Sequence, residues 1–551
     1  MPVLRIGMVA LVVMCTYTKL RGQTIPRFAL VIDELLPDPS PQVQLPNAEF
    51  IELKNTSPHP IELRHCKITD GSTTATITVN YTLQPDSFVV VCPNSASHLF
   101  HPSIGVSSFP SLNNDADIIS LYAPDGTLIH SVAYTTAWYQ NAIKSQGGWS
   151  LEMIDTKNAC TGISNWKASN DATGGTPGRK NSVDAINIDD QPPILIRTYT
   201  IDSLTIAALF DEPLDSAAAA IPSNYNLNGQ PLSATPVLPS GVEVIIKLPA
   251  PLQPATVYQL TVKNISDCSG NTIGAFNTAK AGLPSQPNLA INEILFNPPP
   301  GGFDFIELYN RGNTIADLKQ LYLSNQPITT QSYLFFPGEY IAITENKQWV
   351  QQHFLVNKPS TIIECPGLPS MPDDKGHITL QNAQGDNIDE LSYDEKWHFA
   401  LLDNREGVSL ERINYHQSAW TSAASTAGFG TPGAPNSQLR ADIQVQGRVT
   451  ITPPAFSPNN DGLDDFTIIH CQLPEPGYVA NITIFDANGH RVRYLVQQAT
   501  LSLNNQFRWD GLGDKQNRLP SGNYIVLTEL FNLEGKTKKF KLVATIINPG
   551  R

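Results

Sequence analysis

Four glutamates recur in matching phrases and are the first candidates for chemistry. Glu34 and Glu52 lie in Ile32-Asp33-Glu34-Leu35 and Phe50-Ile51-Glu52-Leu53, while Glu293 and Glu307 lie in Ile291-Asn292-Glu293-Ile294 and Phe305-Ile306-Glu307-Leu308. Two converging carboxylates can divide the work of general acid and base, or hold a cation between them. Satisfied by backbone donors or an arginine, they serve a fold equally well. No nucleophile or histidine accompanies both pairs, which favours the structural role. A second constellation is Ser457, Asn459, Asp461, Gly462, Leu463 and Asp465, at positions one, three, five, six, seven and nine of a calcium-binding loop. Oxygen ligands at alternate positions with glycine at the bend suit a hard cation. Serine replaces the first acid and Ile468 stands where the closing glutamate would be. A turn whose Asn and Asp side chains bond their own backbone has the same composition, so calcium is the one cofactor raised.

Lys536, Lys538, Lys539 and Lys541 form the only basic cluster. They alternate in part with apolar residues, as on a half-buried strand, where exposed lysines discourage edge-to-edge pairing; an anionic surface partner is the alternative. Tyr134 with Trp138 recurs as Tyr393 with Trp397, a pattern that suits sandwich packing better than a sugar-stacking platform. The chain has no G-x-S-x-G, no H-E-x-x-H and no P-loop, and thus none of these enzyme motifs.

The elements that must position these residues are strands. Runs such as Phe88-Val89-Val90-Val91, Ile118-Ile119-Ser120-Leu121-Tyr122 and Leu128-Ile129-His130-Ser131-Val132 are short, β-branched and bounded by Gly, Pro, Asn or Asp, the spacing of β-sandwiches. Asp125-Gly126 predicts a hairpin turn. Ser150-Leu151-Glu152 answers Ser409-Leu410-Glu411, and Gly175-Thr176-Pro177-Gly178 with Asn181 answers Gly430-Thr431-Pro432-Gly433 with Asn436, at offsets of 255 to 259 residues. The chain therefore contains two copies of one module. Within a strand Ile306 and Leu308 face one way and Phe305, Glu307 and Tyr309 the other. The Ile/Leu side is expected to be core, with the glutamates among aromatics on the less buried face.

At 551 residues roughly three to five domains are expected. With 44 prolines, 36 glycines and 16% charged residues, the composition suits a loop-rich all-β protein. Thirty-six basic against 50 acidic side chains give a net charge of -14, which argues against binding nucleic acid through bulk charge. Arg5, the apolar run from Ile6 to Cys15 and a polar stretch to Gly22 have the layout of a secretory signal peptide. Met14 stands where a lipid-modified cysteine usually follows a small residue, so cleavage is expected rather than lipidation at Cys15. No later apolar stretch is long enough for a transmembrane span. Six cysteines follow Cys15. Cys66 aligns with Leu321 and Cys92 with Thr344, so single buried thiols are expected, with Cys66–Cys92 the one pair considered for a bridge.

Both copies resemble the lamin-tail domain, an Ig-like β-sandwich, through Asn292-Glu293-Ile294, Phe305 to Asn310, Ser409-Leu410-Glu411-Arg412 and Gly430-Thr431-Pro432-Gly433. The first copy departs at Asp33 for Asn292 and Met153 for Arg412. The segment between them, with Phe210-Asp211-Glu212-Pro213-Leu214 and Asp267-Cys268-Ser269-Gly270-Asn271, resembles the bacterial Ig-like domain. Trp509-Asp510-Gly511 and Pro520-Ser521-Gly522-Asn523-Tyr524 resemble the Ig-like domain of flagellar hook-capping proteins and C-terminal modules of secreted Bacteroidota proteins, including type IX secretion cargo. The resulting expectation is four tandem Ig-like β-sandwiches on short linkers: a signal peptide at 1–22, then domains at 28–183, 192–281, 288–438 and 441–551. The lamin-tail resemblance implies a non-catalytic interaction module with no catalytic residues to carry over. The chain is thus expected to be an exported scaffold, secreted or at the cell surface with the periplasm as alternative, whose partner is an extracellular or envelope protein or glycan. An accessory of a secreted hydrolase, a cryptic metal-dependent hydrolase using the repeated acids, and a calcium-dependent adhesin are the alternatives.

Overall fold

The computed structural model describes residues 24–402, 404–415, 419–439 and 447–547; the expected signal segment and Cys15 lie outside them. The chain is nearly all β and divides into two compact units. One takes the residues up to Thr198 with Leu204–Pro249 and Gln259–Lys280; the other takes Tyr199–Ser203, Ala250–Tyr258 and the chain from Ala281 onward.

In the first repeat, a six-stranded sheet runs in the order Trp166–Ala168, Leu151–Met153, Leu30–Leu36, Phe50–Asn55, Phe88–Pro93, Ser103–Val106. Only its last pairing is parallel. A four-stranded sheet of Leu128–Thr135, Ala116–Tyr122, Lys67–Thr69 and Thr74–Thr76 faces it. Alternation places Ile51, Leu53, Val89 and Val91 toward this second sheet, where they meet Ile68, Ile119, Leu121 and Val132. Tyr134 belongs to the same core and Trp138 packs against it. The opposite face is covered as well: Leu36, Phe50, Val90, Cys92 and Phe100 form a separate apolar cluster, next to the 3-10 helix Asn94–Leu99. The expectation of a less buried Phe/Glu face is therefore wrong, because distant chain segments close over it.

The second repeat has the same plan. Its six-stranded sheet runs Ile362–Glu364, Tyr340–Thr344, Phe305–Asn310, Leu289–Leu295, Leu410–Asn414, Ala419–Ser422. Phe305, Val350 and Phe354 form the outer cluster around the helix Lys347–His353, whose Asn346 cap accepts from the Trp349 N–H at 2.8 Å. An Asx cap of this kind satisfies one of the free donors of the first turn.

In the intervening Ig-like segment, Thr205–Phe210 pairs with Glu243–Lys247, which pairs with Ser233–Pro236, while Tyr225–Leu227 pairs with Tyr258–Val262. The C-terminal sandwich sets a three-stranded sheet (Arg448–Thr452, Thr467–Gln472, Asn504–Trp509) against a five-stranded one. Phe456, Trp509 and Tyr524 stack edge-on between them, with centroids 5.3 and 5.4 Å apart.

Within each unit, neighbouring pieces are joined by more than their linkers. Cys160 and Cys268, 108 residues apart with Cα atoms 5.8 Å apart, form a disulfide between the first repeat and the Ig-like segment. In the other unit Ser425 and Thr426 bond Thr500 and Asn505, and the Gln438 amide donates to the Leu501 carbonyl at 3.0 Å. The expectation of single buried thiols holds for Cys66, Cys92, Cys365 and Cys471, so the one pair considered for a bridge, Cys66–Cys92, is not joined, and it fails for Cys160 and Cys268. Cys66 lies in the core between the sheets and Cys92 in the outer cluster, on opposite faces of the six-stranded sheet.

Candidate functional site

Strand pairing sets the repeated acids side by side. Glu34 registers with Glu52 on one neighbour and with Glu152 on the other; Glu293 registers with Glu307 and Glu411 in the same way. Each repeat therefore carries a row of three glutamates across adjacent strands; the third lies in the repeated Ser-Leu-Glu phrase, which marks the repeat without pointing to the acid row. All six are fully buried.

The Gly-Thr-Pro-Gly segment is a strap laid over this row. In the first repeat the Thr176 N–H donates to Glu34 at 2.8 Å and its hydroxyl to Glu152 at 2.8 Å, while Ser182 and the Val183 N–H complete Glu152 at 2.7 and 3.1 Å. Ser150 donates to Glu34 and the Gly178 N–H to Glu52 Oε2. Asn181 donates to the carbonyls of Asp33 and Met153 at 3.0 and 2.9 Å, fastening the strap's far end. A Cβ on Gly175 would lie 2.6 Å from Glu34 Oε1 and 2.7 Å from Ser150 Oγ, so the first strap position must be glycine. The second repeat reproduces the set: Thr431 on Glu293 (2.8 Å twice), Ser437 and Gln438 N–H on Glu411 (2.9 and 2.8 Å), Gly433 N–H on Glu307 (2.5 Å), and Asn436 on two carbonyls at 2.9 Å.

Burial, then the neighbouring carboxylate, pushes Glu34 and Glu411 up to about 8; burial followed by Glu34 or Glu293 raises Glu52 and Glu307. Such shifts mark many active sites. Here the six carboxylates are fully buried, and apart from Glu52 Oε1 their oxygens are directed at the strap and the strands.

A bulge at Asp33 and Asn292 interrupts the strand register. It leaves the N–H before each bulge in need of an acceptor, and the repeats solve this differently. The Ile32 N–H donates to Nδ1 of buried His130 at 2.9 Å; the Ile291 N–H donates to Asp389 at 2.8 Å. Asp389 in turn binds Arg412, which lies against the Trp420 ring and also donates to the Ile291 carbonyl at 2.7 Å. Met153, the counterpart of Arg412, needs no counter-charge because His130 is neutral, its imidazole pushed down to about 4 by burial.

Ser457, Asn459, Asp461, Leu463 and Asp465 lie on one loop, but its carboxylates face its own backbone. Asp461 accepts from the Leu463 N–H at 2.8 Å, and Asp465 from the N–H groups of Asn460 and Gly462 at 2.5 and 2.9 Å. Gly462 takes φ +88° at the bend. This is a self-capped turn. Replacing Asp465 with alanine is expected to lower the stability of the C-terminal sandwich by about 1 kcal/mol in denaturant titration; a stability gain on adding millimolar calcium would instead assign the loop to the cation. Of the basic cluster, Lys536 pairs with Glu534 and Lys539 with Glu529, both at 2.6 Å, and Lys538 lies near the Tyr478 ring.

Among the described residues, a different acidic group could hold a metal. Asp189, Glu212 and Asp267 each offer an oxygen within 4.8 Å of the others, an oxygen set suited to a hard cation. Burial and then Asp189 push Glu212 up to about 8. Asp189 and Glu212 also line a cavity of about 440 Å³ with Trp138, Trp166 and Cys160, beside the disulfide. No sequence spacing points to this group, because its members lie 23 and 55 residues apart in the chain.

The lamin tail domain family matches residues 24–136 and 283–395, and the bacterial Ig-like domain family matches residues 195–279. Both lamin-tail matches end before the third glutamate and the strap. No curated protein matches the chain. Among solved structures, the N-terminal part of the bacterial S-layer protein SbsC is 19% identical over 28% of this chain and 41% of its own, with a TM-score of 0.16. CopC of Methylosinus trichosporium OB3b is 15% identical over 19% and 98%, with a TM-score of 0.14. PorZ, a surface component of the type-IX secretion system of Porphyromonas gingivalis, is 9% identical over 91% and 85%, with a TM-score of 0.15. At these TM-scores the likenesses carry no conclusion. The chain contains two lamin tail domains and, between them, a bacterial Ig-like domain.

Proposed function

We propose that this protein is an exported, non-catalytic interaction scaffold, working at a bacterial cell surface or in the medium and presenting its sandwiches to an envelope or extracellular protein or glycan. The observation that carries this reading is the fate of the repeated acids: all six glutamates are sealed beneath the straps and used as hydrogen-bond acceptors. The Cys160–Cys268 disulfide supports an oxidising compartment, since such bonds are rare in the cytosol. No helix among the described residues is long and apolar enough to cross a membrane.

The test has two arms. Fractionated cells should yield the protein in the periplasm, on the surface or in the medium, and the purified chain should turn over no phosphoester, glycan or peptide, with or without divalent cations. A hydrolysis lost on Glu34→Gln with Glu52→Gln, in a protein that still folds, would favour the cryptic hydrolase. Reduction of the disulfide is expected to destabilise the unit that contains it by roughly 2–5 kcal/mol, read by thermal melts with and without reductant; Cys160→Ser with Cys268→Ser should reproduce the shift.

A further inference from the structure

The two acid rows differ at one pair of atoms. In the second repeat Glu307 is saturated: Oε2 accepts from the Gly433 N–H and Oε1 from Asn292 Nδ2 at 2.7 Å. In the first repeat Glu52 Oε2 accepts from the Gly178 N–H, but Oε1 has no partner, and neither has Oδ1 of Asp33, the residue in Asn292's place. Asp33 is 1% exposed and Glu52 0%. Where one repeat sets an amide donor against a carboxylate, the other sets two acceptors at the same bulge, sealed from water. Two carboxylates so placed cannot both stay ionised and unbridged.

We propose that Asp33 and Glu52 form a proton-binding site, sharing one proton that stands in for the amide hydrogen of Asn292. A metal ion is the poorer bridge, because a hard cation requires six or more oxygens and the neighbouring carboxylates are already engaged: Glu34 by Ser150 and Thr176, Glu152 by Thr176, Ser182 and Val183. The charged and titratable surroundings favour the proton. Glu34, Glu152 and Asp184 press on the pair with like charge, Lys54 on the Glu52 strand is the one opposing cation, and His130 on the facing sheet is neutral. Burial raises both acids, Asp33 to about 7.

The sign follows from linkage. Free carboxylic acids release their protons near pH 4, so above about pH 4 the folded first repeat holds a proton that the unfolded chain has lost. The stabilisation is complete below pH 4, declines above it by up to tenfold in the unfolding constant per pH unit, and is lost once the folded pair itself releases the proton. The strap is the element affected, because Glu52 also holds Gly178. The site would make the clasp of the first repeat sensitive to alkali.

The experiment compares the full chain with Asp33→Asn and with Asn292→Asp, measuring unfolding of each unit from pH 5 to 9. Asp33→Asn should stabilise the first unit at pH 8 by tenfold or more in the unfolding constant, do little at pH 5, and reduce proton uptake on folding by about one. Asn292→Asp should add one such proton to the other unit. A protonated-carboxyl infrared band at pH 7 that loses intensity in Asp33→Asn is the direct readout. Unchanged proton uptake in Asp33→Asn, or its destabilisation at pH 8, overturns the proposal. If that variant does not fold, Glu52→Gln supplies the amide from the other side, and an unaltered pH slope in Glu52→Gln and Asn292→Asp overturns it equally.

Discussion

Replacing Asp389 with alanine is expected to cost the second repeat about 3–5 kcal/mol, the usual penalty for stranding one partner of a buried ion pair. Arg412 is 7% exposed at its side chain and Asp389 16%, with 2.7 Å between them. The substitution removes the guanidinium's counter-charge and the acceptor of the Ile291 N–H together. Arg412→Met alone should cost less, since Asp389 keeps the Ile291 N–H. Asp389→His combined with Arg412→Met rebuilds the first repeat's solution, in which His130 accepts the matching N–H and Met153 needs no charge. That double variant should recover much of the loss, a non-additivity that a double-mutant cycle on the unfolding free energies would measure. Simple addition of the single effects would mean that the two repeats are not interchangeable at the bulge.

Glu293→Ala should be of similar size. It strands the Thr431 N–H and leaves Ser409 and the Thr431 hydroxyl only their longer contacts to the Phe429 carbonyl and Glu411, at 3.2 and 3.1 Å; at about 1–3 kcal/mol for a buried group left unmade, with two more bonds weakened and relief of repulsion on Glu307 and Glu411 in return, a net loss of roughly 2–4 kcal/mol is expected. Denaturant unfolding of the second unit measures it, and increased cleavage of the strap by protease would locate it. A catalytic acid behaves in the opposite way: its removal leaves the fold intact and abolishes turnover. A stable Glu293→Ala protein would therefore count against the strap as the reason for these glutamates.

Much of the architecture was legible in the sequence because it is written in short-range patterns. The alternation in Phe305-Ile306-Glu307-Leu308 correctly placed Ile306 and Leu308 in the core, and the β-branched runs around Val89, Ile119 and Val132 fell in strands. The same alternation could not tell that the other face of that strand is buried, because the cover over Glu307 comes from Gly433, 126 residues later. Two expected strands of one module leave Cys66 and Cys92 open to pairing; which face each strand shows depends on what packs on it. Cys160 and Cys268 belong to different modules, so no comparison of the two copies could pair them. Asp33 against Asn292 was visible as a departure, but its meaning required the partnered atoms of Glu307 beside the bare ones of Glu52.

The Cys160–Cys268 bridge also has a mechanical meaning for a protein held at a surface. Tension on the chain would run through the covalent shortcut and bypass the 108-residue stretch it closes. At about 3.3–3.6 Å per extended residue, roughly 360–390 Å of contour length is thereby kept out of the load path while the bond is oxidised. Most of the bacterial Ig-like domain lies inside that loop and can be pulled as a body but not unravelled, whereas its last strand, Thr278–Ala281, stays in the load path; reduction would turn a fixed tether into an extensible one.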